Sequence, residues 1–167
     1  LKQTLKSFID RYESKDNRTK MGIVGELLTH LIVNNFFSDM QSLSILKNKE
    51  ERSIKKGFDI IYYRGGETTL WLVEVKSGPE DDDNAPNSTS FNTILLKRSR
   101  KSLQDLLESK RMSIWESALI DVDLTIPKGN GKIHISKILH EELTNPIEGD
   151  KKQAILASVL YKNLSDT

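Results

Sequence analysis

The chain has 167 residues, and that length supports one domain with a real hydrophobic core but not two comfortable ones. Its lack of cysteine excludes disulfides, cysteine-ligated zinc and a thiol nucleophile, and it fits a reducing compartment. A net charge of +1 excludes a global pull toward nucleic acid, so any electrostatic footprint has to be local.

No apolar run approaches the roughly 18 residues that span a bilayer, and Leu1 to Asp10 lacks the apolar block of a signal peptide. A cytoplasmic, soluble protein with no membrane partner is expected. The first residue is Leu rather than Met, so the single domain, 1–167, reads as a piece of a longer polypeptide.

Leu1, Leu5, Phe8, Ile9 and Tyr12 recur at helical spacing, and the polar stretch Glu13 to Lys20 ends that short amphipathic helix. From Met21 to about Phe37, Val24, Leu27, Leu28, Leu31, Asn35 and Phe36 trace a longer core helix. Ser42 to Leu46 alternates weakly and predicts a first strand, after which Lys47 to Lys56 is a charged loop. Two strands follow, Gly57 to Arg64 and Thr68 to Lys76, rich in β-branched and aromatic residues and joined at Gly65-Gly66. Gly78 to Ser90 carries two prolines and an acidic run, which predicts an exposed loop. Asn92 to Met112 reads as a helix with Leu96, Leu103, Leu106 and Leu107 on one side. Ser113 to Ile126 begins helix-like and ends in a strand-like run from Ile120, Lys132 to Leu139 predicts a strand, and Ala154 to Tyr161 suits a buried strand. Pro127 to Gly131 and Asn145 to Asp150 read as turns. The order implies an α/β (α+β) fold, a mixed sheet flanked by helices.

A hairpin centred on the two glycines places Asp59 opposite Leu72 and Gly57 opposite Glu74. Side chains alternate along a strand, so Asp59, Glu74 and Lys76 then share one face, with the two carboxylates on a diagonal of about 7 Å at the backbone. Two oxygen ligands at that reach can share a divalent cation. Mg²⁺ keeps several of its waters, so one or two carboxylates suffice, and Lys76 would sit beside the attacking water. That set has the parts that phosphodiester hydrolysis requires.

Asp59, a gap, and then Glu74-Val75-Lys76 in a strand resembles the Asp…Glu-x-Lys signature of the PD-(D/E)xK nuclease superfamily, with Glu26 in Gly25-Glu26-Leu27 at the upstream acidic position. The resemblance covers about residues 20 to 112 and implies a restriction-endonuclease-like core. It also implies that Asp59, Glu74 and the Val75 carbonyl hold Mg²⁺, with Mn²⁺ as a substitute, and that Lys76 positions the water. Phe58 stands where the pattern has proline. More narrowly, Gly22 to Leu27, Lys56-Gly57-Phe58-Asp59 and Glu74-Val75-Lys76-Ser77 resemble the nuclease subunit of the Hachiman anti-phage defence system, which implies a role in antiviral defence beside a helicase partner; DNA is favoured over RNA as the substrate, and the sequence does not decide between them.

Plainer readings stand beside these. Asp59, Glu74 and Lys76 also suit a solvated strand face with an ion pair, and Glu26 lies roughly opposite its helix's main stripe, as an ordinary surface residue would. His30, one turn after Glu26, more often serves structure. His140-Glu141-Glu142 lacks the second histidine of a zinc protease helix, because position 144 is Thr. Asp121 and Asp123 share a face of their predicted strand and form a rival carboxylate pair. Lys97, Arg98 and Lys101 face away from their helix's leucine stripe and suit either phosphate contacts or a solvated helix face. Glu80 to Asp83 reads as a surface loop. The alternative function is an inactive nuclease-fold module that binds nucleic acid or a partner; endonuclease or exonuclease action, specificity and oligomeric state are left open.

Overall fold

The computed structural model describes residues 9, 12–44, 57–64, 69–79, 88–109, 111–144 and 152–162. Helix α1 spans Asn17–Phe36 and is followed by strands β1, Met40–Ser42, β2, Ile60–Arg64, and β3, Leu70–Pro79. Helices α2, Ser88–Glu108, α3, Met112–Thr125, and α4, Asn130–Thr144, lead to β4, Lys152–Tyr161. The strands form one mixed sheet in the order β1-β2-β3-β4. The first three are antiparallel in turn, whereas β4 runs parallel to β3 from Leu70↔Lys152 to Pro79↔Tyr161.

Both faces of the sheet are covered, which is why β2 is a continuous buried run, Ile60-Ile61-Tyr62-Tyr63, instead of an alternating one. On one face Ile60, Tyr62, Val73 and Val75 pack with Val33 of α1 and Met40. On the other, Ile61, Tyr63, Leu70 and Leu72 meet Leu103 of α2, Trp115 and Val122 of α3, and Ile135 and Leu139 of α4. Asp16 starts α1 by accepting from the Thr19 amide at 3.0 Å and its hydroxyl at 2.7 Å, and these bonds hold the Asp16 carboxyl below the usual carboxylate range.

Two predicted strands are helices. Ile120 to Ile126 looks alternating, yet it continues the four-residue row Ile114, Ala118, Val122, Ile126 that α3 buries, while Ile120 and Leu124 face solvent. Lys132 to Leu139 shows the same ambiguity, because Ile133 and Ile135 alternate while the buried set is Ile135, Ile138 and Leu139. β-branched composition favoured a strand at both places, and packing overrode it. β4 is a strand as expected but is only partly buried, as befits its position at the end of the sheet. β1 falls at Met40–Ser42, earlier than the Ser42 to Leu46 expected.

The hairpin register differs from the expected one by two residues: Tyr63 pairs with Leu70 and Ile60 with Val73, instead of Asp59 with Leu72. A shift of two preserves side-chain parity, so the shared face survives, and the same register continued one pair outward sets Asp59, not Gly57, across from Glu74. The Gly65-Gly66 turn, the loop Lys47 to Lys56, the acidic run Glu80 to Asp83 and the turn Asn145 to Asp150 lie outside the described residues, as does most of the helix expected before Tyr12.

Candidate metal centre at the β2–β3 hairpin

Alternation along β3 sorts its residues onto two faces. Leu70, Leu72, Glu74, Lys76 and Gly78 turn toward α2, and Gly78 lies so close to Phe91 that a Cβ there would come within 2.8 Å of the ring. Val73, Val75 and Ser77 turn toward α1. The Glu74 carbonyl accepts from the Ser99 hydroxyl of α2 at 2.5 Å, which seats the helix over the carboxylate. Glu74 is therefore only 2% exposed.

Its two oxygens differ. Oε1 accepts from Lys76 Nζ at 2.5 Å, while Oε2 is buried with no hydrogen-bond donor among the described residues. A buried carboxylate loses several kcal/mol of hydration, roughly, and one ammonium does not satisfy both oxygens. Lys76 remains about one-third exposed, so its side chain links the buried carboxylate to solvent. Asp59 sits in the bend before β2, where its Oδ2 accepts from the Val75 amide at 2.7 Å. Asp59, Glu74, Val75 and Lys76 are thus gathered at one end of the β2–β3 pairing.

Glu26 is on α1, which packs against the other face of β3. Its neighbour Gly25 touches Ser77 so closely that a Cβ would fall 2.1 Å from the serine oxygen. Half-buried, Glu26 follows this contact. His30, one turn on, stacks with Tyr62 at 6.2 Å between ring centroids and lies 3.2 Å from its hydroxyl through Nδ1. With Asn34 Nδ2 donating to Nε2 at 2.9 Å, the consistent tautomer places the proton on Nδ1, directed at the Tyr62 oxygen. Burial holds His30 below its usual value and pushes Tyr62 up to about 12, so both are neutral at physiological pH.

The other candidates disperse. Lys97, Arg98 and Lys101 occupy the exposed side of α2, whose opposite side buries Phe91, Leu95, Ser99 and Leu103. Asp121 and Asp123 do not share a face, because in a helix two residues apart means roughly opposite sides. Asp121 is buried, and Asp123 is exposed and paired with Lys132 at 2.9 Å. His140 is exposed.

Sequence reasoning missed Glu142 and Lys152, a second buried ion pair at 2.8 Å. The signal existed: Glu142 completes the i, i+3, i+4, i+7 row Ile135, Ile138, Leu139, Glu142, which is visible only once the segment is read as a helix.

Among the described residues no three or more His, Cys, Asp or Glu side chains gather as a metal cluster. The hairpin set still fits Mg²⁺, which needs only one or two carboxylates, and the unpartnered Glu74 Oε2 is an available ligand. No described helix is long and apolar enough to cross a membrane. No curated protein and no solved structure matches the chain. The family model described as HamA matches residues 1–166, almost the whole length. The chain belongs to the HamA family, the Hachiman anti-phage system protein.

Proposed function

We propose that this chain is a Mg²⁺-dependent nuclease of the PD-(D/E)xK type that hydrolyses phosphodiester bonds of DNA in anti-phage defence. The observation that carries the reading is Glu74 Oε2, a buried carboxylate oxygen without a donor among the described residues, on the residue that the β2–β3 register sets across from Asp59 and next to a lysine one-third exposed. Asp59, Glu74 and the Val75 carbonyl would hold the cation, with Mn²⁺ as a substitute. Such a cation supplies Lewis-acid activation of water and neutralises charge at phosphorus.

Lys76 moves between two partners in this reading. It neutralises Glu74 at rest; in the working site its ammonium orients the attacking water by hydrogen bonding. Glu26, on α1 against the opposite face of β3, bears on the site only through the seating of that helix on the strand, and Lys97, Arg98 and Lys101 contribute phosphate contacts from the exposed side of α2. A helicase partner would supply the affinity that a net charge of +1 does not. The exposed stripe Leu28, Leu31, Ile32 and Phe36 on α1 is a surface of the kind such partners cover. Cytoplasmic location follows from that role.

Incubation with single- and double-stranded DNA and RNA, with Mg²⁺ or with EDTA, tests the proposal. Metal-dependent cleavage that disappears in folded Glu74→Gln and Lys76→Ala variants supports it; variants that cut as fast as wild type sink the assigned site. A second reading, a non-cutting nuclease-fold module, is favoured by the internal satisfaction of Asp59 Oδ2 and Glu74 Oε1. Metal and DNA binding without cleavage, with the partner present, would select it.

A further inference from the structure

A cavity of about 350 Å³ opens between the sheet and helices α2, α3 and α4, lined by Leu72, Leu103, Trp115, Glu142, Lys152 and Ala154 among others. Glu142 is 2% exposed, and neither of its carboxylate oxygens has a hydrogen-bond donor of good geometry among the described residues. Lys152 stands 2.8 Å from Oε2 and 5.6 Å from the Trp115 ring centroid. A buried carboxylate in a mostly apolar cavity, with a cation beside one oxygen and no hydrogen bond to either, is costly unless something donates to it. An occupant therefore needs flat apolar faces for the leucine and tryptophan walls and an N–H edge for Glu142.

Leu72 lines this cavity and lies two residues from Glu74 on the same face of β3, so the cavity adjoins the candidate metal centre. A nucleobase is the ligand class that meets both demands. Lys152 and the two oxygens of Glu142 present donor, acceptor, acceptor. Guanine, through O6, N1–H and N2–H₂, presents the complementary acceptor, donor, donor. Adenine offers a donor then an acceptor; cytosine offers one donor and two acceptors; uracil and thymine place a single donor between two acceptors. None of these four satisfies both carboxylate oxygens.

We propose that the Glu142–Lys152–Trp115 cavity binds a guanine base. The nuclease reading enters only in choosing a base as the ligand class, and binding is measured in EDTA so that cleavage and this pocket are read separately. Calorimetric titration of the full chain with GMP, AMP, CMP and UMP should show GMP binding at least tenfold more tightly than the others. A dT nonamer with one central dG, compared with the all-dT nonamer, distinguishes a base presented in a strand from a free nucleotide. Discrimination by GMP or by the dG nonamer supports the pocket and names its source. Glu142→Gln should lower the guanine affinity at least tenfold. Because that change leaves Lys152 without its buried partner and can unfold the chain, Ala154→Phe, which fills the cavity from β4, should give the same loss with unchanged circular dichroism. No preference for guanine in either format, or a folded Ala154→Phe variant that binds like wild type, would overturn the assignment.

Discussion

Asp59 Oδ2 accepts a 2.7 Å hydrogen bond from the backbone amide of Val75, so a side chain takes the place of a ladder carbonyl where the β2–β3 pairing ends. One residue thus carries two separable duties, an acceptor for the strand and a charge for the candidate site. Asp59→Asn keeps an acceptor and should melt near wild type, whereas Asp59→Ala leaves the amide of buried Val75 unmet at a cost of about 1–3 kcal/mol. Both should lose metal-dependent cleavage by more than about a hundredfold, roughly the scale of one misplaced charge or contact. Chemical denaturation and a cleavage assay on both variants check this; an Asn variant as unstable as the Ala variant would refute the division.

Mg²⁺ binding to the folded chain alone should stabilise it by mass action. At ten times its dissociation constant the gain is about 1.4 kcal/mol, or roughly 3–6 °C for a chain of this size. Thermal melts with and without Mg²⁺ should show that shift in wild type and none in Glu74→Gln, whose amide no longer offers the unpartnered carboxylate oxygen. An equal shift in both proteins would place the metal elsewhere.

Gly25 brings α1 against β3 at Ser77, and there the helix has no room for a methyl group. Although alanine is intrinsically the better helix former by about 1 kcal/mol, the clash should dominate and Gly25→Ala should destabilise by about 1–3 kcal/mol. Ser77→Gly opens the space, so the double variant should recover most of the loss. Denaturation midpoints for all four proteins measure the coupling, and additive losses would count against direct contact.

His30 sets a pH dependence whose sign follows from burial. Its folded value lies below the ordinary 6.5, so the unfolded chain takes up the proton first as pH falls. Stability from this residue is full above about pH 6.5 and is lost as pH drops through the folded value. Melting temperature should therefore fall more steeply between pH 7 and 5 in wild type than in His30→Gln, and identical pH profiles would remove His30 as the cause.

Lys97, Arg98 and Lys101 point to solvent from α2, so replacing them leaves the fold intact. If they grip phosphates, each Ala substitution weakens DNA binding alike across sequences and reduces the salt slope by roughly 0.9 for each contact removed. Binding isotherms at several salt concentrations decide the matter, and an unchanged slope in the triple variant would make this a plain solvated face.

The mixed, helix-covered sheet was legible in the sequence because β2 and β3 are long apolar, β-branched runs that no helical pattern imitates. The grouping of Asp59, Glu74 and Lys76 was legible for a narrower reason: side-chain parity is insensitive to a register error of two, so the wrong pairing still put them together. Ile120 to Ile126 and Lys132 to Leu139 misled because their β-branched residues satisfy both periods, and only the partners in the core choose between them. That error hid Glu142, whose position on a buried helical row has no meaning in a strand.

The strand that carries Glu74 and Lys76 pairs on one side with its sequence neighbour and on the other with a strand that arrives only after residues 80–151. During synthesis β3 therefore spends the making of three helices as an unprotected edge, and its parallel mate leaves the ribosome only after them. Such long-range parallel pairing closes slowly, so the candidate centre is assembled at the end of folding, not at its beginning. A chain interrupted before Lys152 would present a sticky open sheet, and any hydrolytic competence would be withheld until β4 has been made.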